Sequence, residues 1–283
     1  GRDAGVHGVA AGTQDVGPRL GGERMTGCQS TCHGASVRFR PMGDVSFAAD
    51  ERASWRLQPT VAREAVLCTG LAAVLASLLA WLGPRGGDLA AHEYQRSLFL
   101  AHGLTLWDNF WYAGRYAFVG YSVLYYPLAA LLGLRLLAVL TVVLSAATFA
   151  LLLEREWGRS ARWAGRSFAL VWGGAILAGQ LPFALGAAFA LFCLLALQSG
   201  RRWIGAAFIV LALAASPVAF VLLAVVLVGT AAGRRPALRR ARVPALALVL
   251  ATVAELLVLH LFPSGTLEFP GIEAVEATAF CVG

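Results

Sequence analysis

Long apolar runs separated by short basic stretches dominate the chain from residue 63 onward. The first run, Ala65–Leu82, carries no charge and at about 1.5 Å per residue crosses most of a ~30 Å hydrocarbon core. We therefore predict an all-α fold, a polytopic transmembrane helical bundle. The further predicted helices are Arg135–Leu153, Ser167–Leu181, Pro182–Gln198, the two halves of Trp203–Gly233, and Val243–Phe262.

The arginines predict how these helices are oriented, because short arginine-rich loops stay on the cytoplasmic side of a membrane. This rule places the segment before Ala65 and the loop Glu154–Arg166 inside, and the polar stretch Gly83–Tyr126 outside. Only one crossing then fits between the outer stretch and the inner loop. Tyr121–Gly133 is therefore predicted to be a re-entrant or interfacial helix.

The apolar run Trp203–Gly233 is too long for one crossing. A single helix would measure about 45 Å, against the ~30 Å that a bilayer requires. Ser216-Pro217 offers a break, because proline lacks a backbone donor and disfavours helix at the residue before it. A hairpin of two short helices keeps both flanking arginine clusters in the cytoplasm. The prediction is then about seven membrane helices and a cytoplasmic N-terminus.

Composition favours lipid as the solvent of this chain. Hydrophobic residues make up 58% of the 283 residues and charged residues 14%, whereas soluble globular proteins show about 45–50% and about 25%. The net charge of +7 comes entirely from arginine, and the arginines fall between apolar runs, where they mark topology. We therefore expect a multi-pass protein of the cell membrane and no nucleic-acid partner.

Three regions are predicted along the chain. Residues 1–62 are rich in Gly, Ser, Thr and Arg and lack a sustained apolar period, which favours a disordered cytosolic leader or translated sequence upstream of a start at Met25 or Met42. Residues 63–262 form the transmembrane domain, with an outer loop over 83–126. Residues 263–283 carry three glutamates and no basic residue, which predicts an outer tail of a truncated longer protein.

The outer loop carries the candidate chemistry. Every tyrosine of the chain lies between positions 94 and 126, together with Trp107 and Trp111, and an aromatic belt at the membrane interface explains any single ring. The acids are harder to explain in that way. A helix from Asp88 puts Asp88 and His92 on one face, with Glu93 adjacent. Asp88 directly after two glycines is also a good helix N-cap, so capping and catalysis both remain open.

A longer pattern in this loop resembles a known family. The pattern is Gly86-Gly87-Asp88-x-x-x-His92-x-Tyr94, Ala101-His102-Gly103, Leu106-Trp107-Asp108-x-x-Trp111-Tyr112-x-Gly114, and Gly120-Tyr121-Ser122-x-Leu124-Tyr125-Tyr126-Pro127-Leu128. It resembles the first outer loop of the GT-C class of polyprenyl-phosphate-sugar-dependent glycosyltransferases and related polytopic membrane proteins. In that family an acid follows the first membrane helix, an amphipathic helix comes next, and a Tyr-Pro-Pro-Leu-like element leads into the next membrane helix. This chain departs from the pattern in the spacing of its second acid, Glu93, and in having one proline.

The resemblance implies transfer of a sugar from a polyprenyl-phosphate donor to an acceptor at the outer membrane face. It makes Asp88 and Glu93 the catalytic acids, with Asp88 as general base or, together with His92, as a ligand of a divalent metal, Mg or Mn. The implied partners are the lipid bilayer and the lipid-linked sugar. The residues expected to bind substrate are His92, Tyr94, Arg96, Trp107, Asp108, Tyr112, Arg115 and Tyr121.

Two other functions remain open from the sequence. A transporter or lipid-flipping permease would use the break at Pro217 and the charged Glu255 within the last helix, whereas a non-catalytic membrane subunit would need neither. Arg96 and Arg115 could bind a donor phosphate, because a guanidinium donates hydrogen bonds to two oxygens at once, but they could equally bind lipid headgroups. The chain has no phosphate loop, nucleophile elbow or dinucleotide fingerprint, which excludes soluble nucleotide enzymology.

Overall fold

The structure is a computed structural model that describes residues 59–111, 114–233 and 242–263, and these are mostly helical. A two-stranded antiparallel ribbon, β1 (Trp107–Asp108) and β2 (Arg115–Tyr116), is the described β-structure. The described helices are α1 (Pro59–Leu82), α2 (Leu89–His102), α3 (Tyr125–Leu132), α4 (Leu134–Trp157), α5 (Arg162–Val171), α6 (Gly174–Ala178), α7 (Leu181–Gln198), α8 (Arg202–Ala215), α9 (Pro217–Gly233) and α10 (Arg242–Leu261).

Four of these helices are long and apolar enough to cross a membrane: α1 from Ala62, α4, α7 and α10. Their lengths follow from the uncharged runs in the sequence, because a helix of about 20 residues spans ~30 Å. α8 and α9 are apolar but shorter. The predicted helical class with membrane-length apolar helices is confirmed at this level.

The predicted helix Ser167–Leu181 is divided in two. α5 ends at Val171 and α6 occupies Gly174–Ala178, with Trp172 and Gly173 between them. α6 ends at Gly179, which has a positive φ of 74°. Glycine adopts this conformation without steric cost and commonly ends a helix. The tight turn that follows carries the chain directly into α7.

The predicted break at Pro217 is present. α8 ends at Ala215, Ser216 is extended with φ −161° and ψ 117°, and α9 begins at Pro217. The break frees backbone carbonyls at the end of α8, and one of them is used by another segment: the carbonyl of Ala214 accepts the N–H groups of Val123 and Leu124 at 3.0 and 2.9 Å. The chain in front of α3 is thereby attached to the end of α8.

α3 occupies part of the segment predicted to be re-entrant or interfacial. Its eight residues span about 12 Å, too short for a ~30 Å core. The Ser122 hydroxyl, just before the helix, accepts the Tyr125 N–H at 3.1 Å and so satisfies the first backbone donor of α3. Gly133, with a φ of 79°, separates it from α4.

One end of the helix assembly, which we name the basic end, joins α1, α4, α5 and α7. Arg166 of α5 donates two hydrogen bonds to Glu64 of α1, at 2.8 and 3.2 Å. Arg162 lies 3.3 Å from Glu154 of α4 and 3.6 Å from Glu64. The last turns of α4 and α7 are joined where Arg155 donates to the Ser199 hydroxyl at 2.8 Å.

The opposite end carries the loop between α1 and α4. We name residues 83–111 and 114–132 the cap. The cap contacts the α6–α7 turn through His92 and Gly179, the end of α8 through Val123 and Ala214, and the end of α10 through the Tyr116 and Phe262 rings, which are 5.1 Å apart. The helix ends on this side are therefore held together by one folded loop.

Small residues allow the helices to approach closely. A Cβ added at Gly186 of α7 would lie 2.7 Å from the Ala219 side chain and 2.9 Å from that of Ser216, so α7 and the start of α9 are nearly in backbone contact. Packing of this kind is common between membrane helices, where small side chains increase van der Waals contact. The remaining core is mostly alanine, with larger apolar side chains and the buried Cys68 and Cys193.

Candidate functional site

His92 is the centre of the cap and is completely buried. Its Nε2–H donates to the carbonyl of Gly179 at 2.6 Å, so its Nδ1 is the acceptor for the Tyr126 hydroxyl at 3.1 Å. Burial lowers the pKa of His92, against the opposing effects of the Gly179 carbonyl and the charge of Asp88. The neutral imidazole, with both nitrogens occupied, therefore connects α2 to α3 and to the α6–α7 turn.

Asp88 lies at the N-terminus of α2 and is exposed. It occupies the N-cap position, but its side chain makes no capping hydrogen bond. Its backbone packs against Gly179, where an added Cβ would lie 3.0 Å from the Asp88 Cβ. Glycine is thus required at position 179 by both its positive φ and this contact. The carboxylate of Asp88 is available to a molecule at the surface, and so is that of the exposed Glu93.

Asp108, rather than Asp88, is the acid enclosed by aromatic rings. It is 8% exposed. Its Oδ2 accepts the Tyr94 hydroxyl at 2.5 Å and its Oδ1 accepts the Phe110 N–H at 3.0 Å. The hydrogen bond to Asp108 raises the pKa of Tyr94 to about 12. Trp111 stacks on Tyr94 with the ring planes 4° apart. We name Tyr94, Asp108 and Trp111 the aromatic–acid cluster.

Two large rings beside this cluster are open to the surface. Trp107 is 50% exposed and Tyr121 is 38% exposed. Trp107 meets Tyr116 edge to face at 5.1 Å, and Tyr121 meets Trp111 in the same way at 6.2 Å. Such rings combine a flat apolar face with a polar tip. They provide a surface for a sugar ring or for a lipid headgroup.

Arg96 and Arg115, the arginines of the cap that were predicted to bind substrate, make contacts with backbone carbonyls. The Arg96 Nε–H donates to the carbonyl of Ala129 at 2.8 Å, which joins the middle of α2 to the last turn of α3. Arg115 pairs with Asp108 through the backbone of the β-ribbon and donates to the Gly114 carbonyl at 3.3 Å. Each guanidinium has further donors that can reach an anion. The predicted binding residue Tyr112 lies outside the described residues.

The structure thus separates the predicted site residues into two groups. Tyr94, Asp108 and Tyr121 come together around Trp111, while Asp88 and His92 meet at the α6–α7 turn. Tyr121 lies between the groups, because its ring is also 6.1 Å from that of His92. Sequence reasoning did not single out Gln95, Tyr125 or Gly179. For Gln95 the sequence did carry a signal. His92, Gln95 and Phe99 recur at helical spacing, which predicts that they share the buried face of α2.

A half-buried charge lies within α10. Glu255 is on the same face as the buried Ala251, one turn further along the helix, and it has no hydrogen bond or ion pair with another residue in the described ranges. α10 packs against α8. An uncompensated carboxylate in a membrane-length helix is costly, which makes it a candidate for function.

Two cavities lie at the basic end. An open groove of about 360 Å³ is lined by Arg201, Arg202 and Trp203, among others. A cavity of about 10 Å³, smaller than one water molecule requires, lies beside Glu64 and Cys68. Within the parts of the chain that the structure describes, no three His, Cys, Asp or Glu residues are grouped as metal ligands.

These features define a class: a helical protein with four membrane-length apolar helices and a folded aromatic cap over one end. No family model, curated protein or solved structure matches the chain. Function is therefore inferred from the cap and from the helix ends beneath it.

Proposed function

We propose that this chain is a multi-pass membrane protein that transfers a sugar from a polyprenyl-phosphate donor to an acceptor at the face that carries the cap. One observation carries the proposal: Asp88 is an exposed carboxylate that follows a membrane-length helix after a short loop and occupies the N-cap position of α2. The exposed rings of Trp107 and Tyr121 lie in the same folded cap. The resemblance of this loop to that of GT-C glycosyltransferases supports the same function.

The proposed topology has seven crossings. α1, α4, the α5–α6 pair, α7, α8, α9 and α10 each run between the basic end and the cap end, and α3 begins and ends near the cap. This path is supported by the contacts at each end, Glu64–Arg166 at one and His92–Gly179 at the other. The basic end faces the cytoplasm, because arginine-rich short loops are retained there. The N-terminus is then cytoplasmic and Asp88 is outside.

In this proposal Asp88 is the general base. A carboxylate takes the proton of an acceptor hydroxyl as that oxygen attacks the anomeric carbon, and the polyprenyl phosphate leaves. Arg96 and Arg115 offer their remaining guanidinium donors to the phosphate. The half-buried Tyr94, hydrogen-bonded to the buried Asp108, stacks on Trp111 and holds it in place. Trp107 and Tyr121 supply faces for the sugar ring. Glu93, on the next turn of α2, is the second candidate acid.

The side chains around Asp88 do not fit a resident Mg or Mn ion. Such hard cations take about six oxygen ligands, and His92, the second predicted ligand, has both ring nitrogens in hydrogen bonds. The neighbouring backbone carbonyl of Gly179 is occupied by His92. The proposed reaction therefore contains no step that uses a metal.

The test is sugar transfer in membranes that contain the full-length protein. A panel of polyprenyl-phosphate sugars with a labelled sugar serves as donor, and membranes without the protein give the background. We expect transfer above background with the wild type and a loss of about 100-fold or more for Asp88→Asn, the scale of removing a general base. Glu156→Gln, an exposed change at the basic end, is the matched control. Full activity of Asp88→Asn, or no transfer by the wild type, contradicts the proposal.

A second function, transport or lipid flipping, is favoured by one observation: Glu255 has no partner among the described residues, and it lies in α10, which packs against α8. Membrane carboxylates beside broken helices commonly bind ions or protons in transporters. If the chain is a transporter, we expect Glu255→Gln to abolish transport and Asp88→Asn to leave transport unchanged. The two variants therefore separate the transferase from the permease, and a non-catalytic subunit is insensitive to both.

A further inference from the structure

The cap contains an unusual concentration of polar atoms without partners. Six buried side-chain nitrogen or oxygen atoms in the described residues have no hydrogen bond, and four of them belong to the cap: two on Gln95, one on Thr105 and one on Tyr125. Protein interiors normally pair more than about 90% of such groups. Orphaned buried groups are therefore a reason to look for a molecule that pairs with them.

Gln95 and Tyr125 both lie next to His92. Gln95 is 1% exposed and follows His92 on the buried face of α2. Tyr125 is 0% exposed, and its ring is 5.9 Å from that of His92. His92 cannot satisfy either side chain, because Tyr126 and Gly179 already occupy its two nitrogens. The Gln95 amide, whose nitrogen and oxygen both lack partners, and the unpaired Tyr125 hydroxyl therefore lie in one buried layer around His92.

Tyr121 connects this buried layer to the surface. Its ring is 6.1 Å from His92 and 6.5 Å from Tyr126, and 38% of the residue is exposed. Burial raises the pKa of Tyr125, and the proximity of Tyr121 adds to the effect. Tyr121 therefore lies between the surface and the buried residues around His92.

We propose that Gln95 and Tyr125 form a closed binding site for a neutral, hydroxyl-bearing group such as a sugar hydroxyl. The chemistry follows from the donors: an amide offers two N–H groups and a carbonyl, and a phenol offers an O–H and an acceptor. Neither side chain is charged, so a phosphate would lose its hydration without gaining a counter-charge. Within the proposed sugar transfer, on which this assignment rests, the site holds the acceptor.

The adjacent tyrosines provide a matched experiment on the purified full chain in lipid nanodiscs. Tyr125→Phe removes an orphaned hydroxyl, so we expect the melting temperature to rise by about 2–4 °C. Gln95→Leu should act in the same direction. Tyr126→Phe removes the partner of the His92 Nδ1, so we expect it to lower the melting temperature by a similar amount. If Tyr125→Phe lowers it as well, the hydroxyl has a partner and the proposal is wrong.

Binding is measured as the change in melting temperature when a probe is added. Methyl α-D-glucopyranoside is the neutral probe and methyl phosphate is the anionic one. We expect the glycoside, but not the phosphate, to raise the melting temperature of the wild type and of Tyr126→Phe, and to have no effect on Gln95→Leu or Tyr125→Phe. A rise with methyl phosphate alone, or no response of the wild type to the glycoside, overturns the proposal. Asp88→Asn should keep the glycoside response. A variant that binds without transferring sugar therefore separates this site from the proposed reaction.

Discussion

At the scale of single residues, burial decides what each polar side chain of the cap can do. His92 is enclosed and doubly hydrogen-bonded, so it acts as a structural connector. Asp108 is enclosed and bonded to Tyr94, so it shapes the aromatic–acid cluster. Asp88 is exposed and makes no capping bond, so its carboxylate is free to act on an external molecule. Three ionisable residues of one loop therefore have three different roles.

The buried imidazole gives a prediction about pH. Its folded-state pKa is lowered, whereas in the unfolded chain it is about 6.5. The unfolded state therefore binds more protons below about pH 6.5, and the stability that neutral His92 contributes is present above that pH and lost as the pH falls. We expect the melting temperature of the wild type to fall from about pH 7.5 to about pH 5.5.

In His92→Gln this decline should be smaller, although the variant is less stable at about pH 7.5 by roughly 1–3 kcal/mol. His102→Gln, an exposed change at the end of α2, is the control and should behave as the wild type does. Thermal melts across this pH range make the measurement. An unchanged pH dependence in His92→Gln would show that another group titrates.

The candidate site was only partly predictable at this scale. The loop, its acids and its aromatic residues could be recognised from the sequence, because they stand out against the apolar runs. The sequence could not show that Asp108 is the enclosed acid, since the environment of a carboxylate is set by residues that fold over it. The same holds for the surroundings of Tyr125, whereas the burial of Gln95 could have been predicted from the helical spacing of His92, Gln95 and Phe99.

At the scale of elements, an ion-pair network joins three helices at the basic end. Glu64 and Glu154 are nearly buried, while the side chains of Arg162 and Arg166 remain 28% and 30% exposed. Removing one member of such a network leaves its partners desolvated and unpaired, which costs more than the pair itself contributes. The network therefore fixes how α1, α4 and α5 pack at this end.

We expect Glu64→Gln to lower the free energy of unfolding by about 1–3 kcal/mol, less than for a fully buried pair because the guanidiniums reach water. Glu156→Gln, an exposed change on α4, should alter it by less than about 0.5 kcal/mol. Chemical or thermal unfolding in detergent gives both values. Equal effects of the two substitutions would mean that the network makes no specific contribution.

Of the two helix breaks, only the one at Pro217 was predicted from the sequence. The break at Pro217 follows from covalent chemistry, because proline lacks an N–H wherever it occurs, and α8 and α9 divide there. The division of Ser167–Leu181 into α5 and α6 was not predicted. Gly173 and Gly174 lie at the division, but glycines permit a helix to end without requiring it. The end of α6, at Gly179, is held by its contacts with Asp88 and His92.

At the scale of the whole molecule, the basic end and the cap are at opposite ends of the helices, so the proposed topology can be measured. We predict that Gly87→Cys and Ser160→Cys, in a variant with the five native cysteines replaced by serine, react from opposite sides of the membrane. A membrane-impermeant maleimide on intact cells should label Gly87→Cys, whereas Ser160→Cys should react only after permeabilisation. Both positions accept the change, since Ser160 is exposed and an added Cβ at Gly87 meets no neighbour. Labelling of both from the same side would refute the topology.

The sequence by itself determined the helical class, the places of the long apolar helices and the break at Pro217, because apolar run length and proline chemistry act locally along the chain. Only the tertiary structure decided which polar groups of the cap are enclosed and what they contact. His92 meets partners 34 and 87 positions away, and no local pattern encodes a hydrogen bond over such distances. The burial and the hydrogen-bond partners of each acid, hydroxyl and imidazole are set only when α2, α3 and the α6–α7 turn come together. These two properties determine the chemistry of each group.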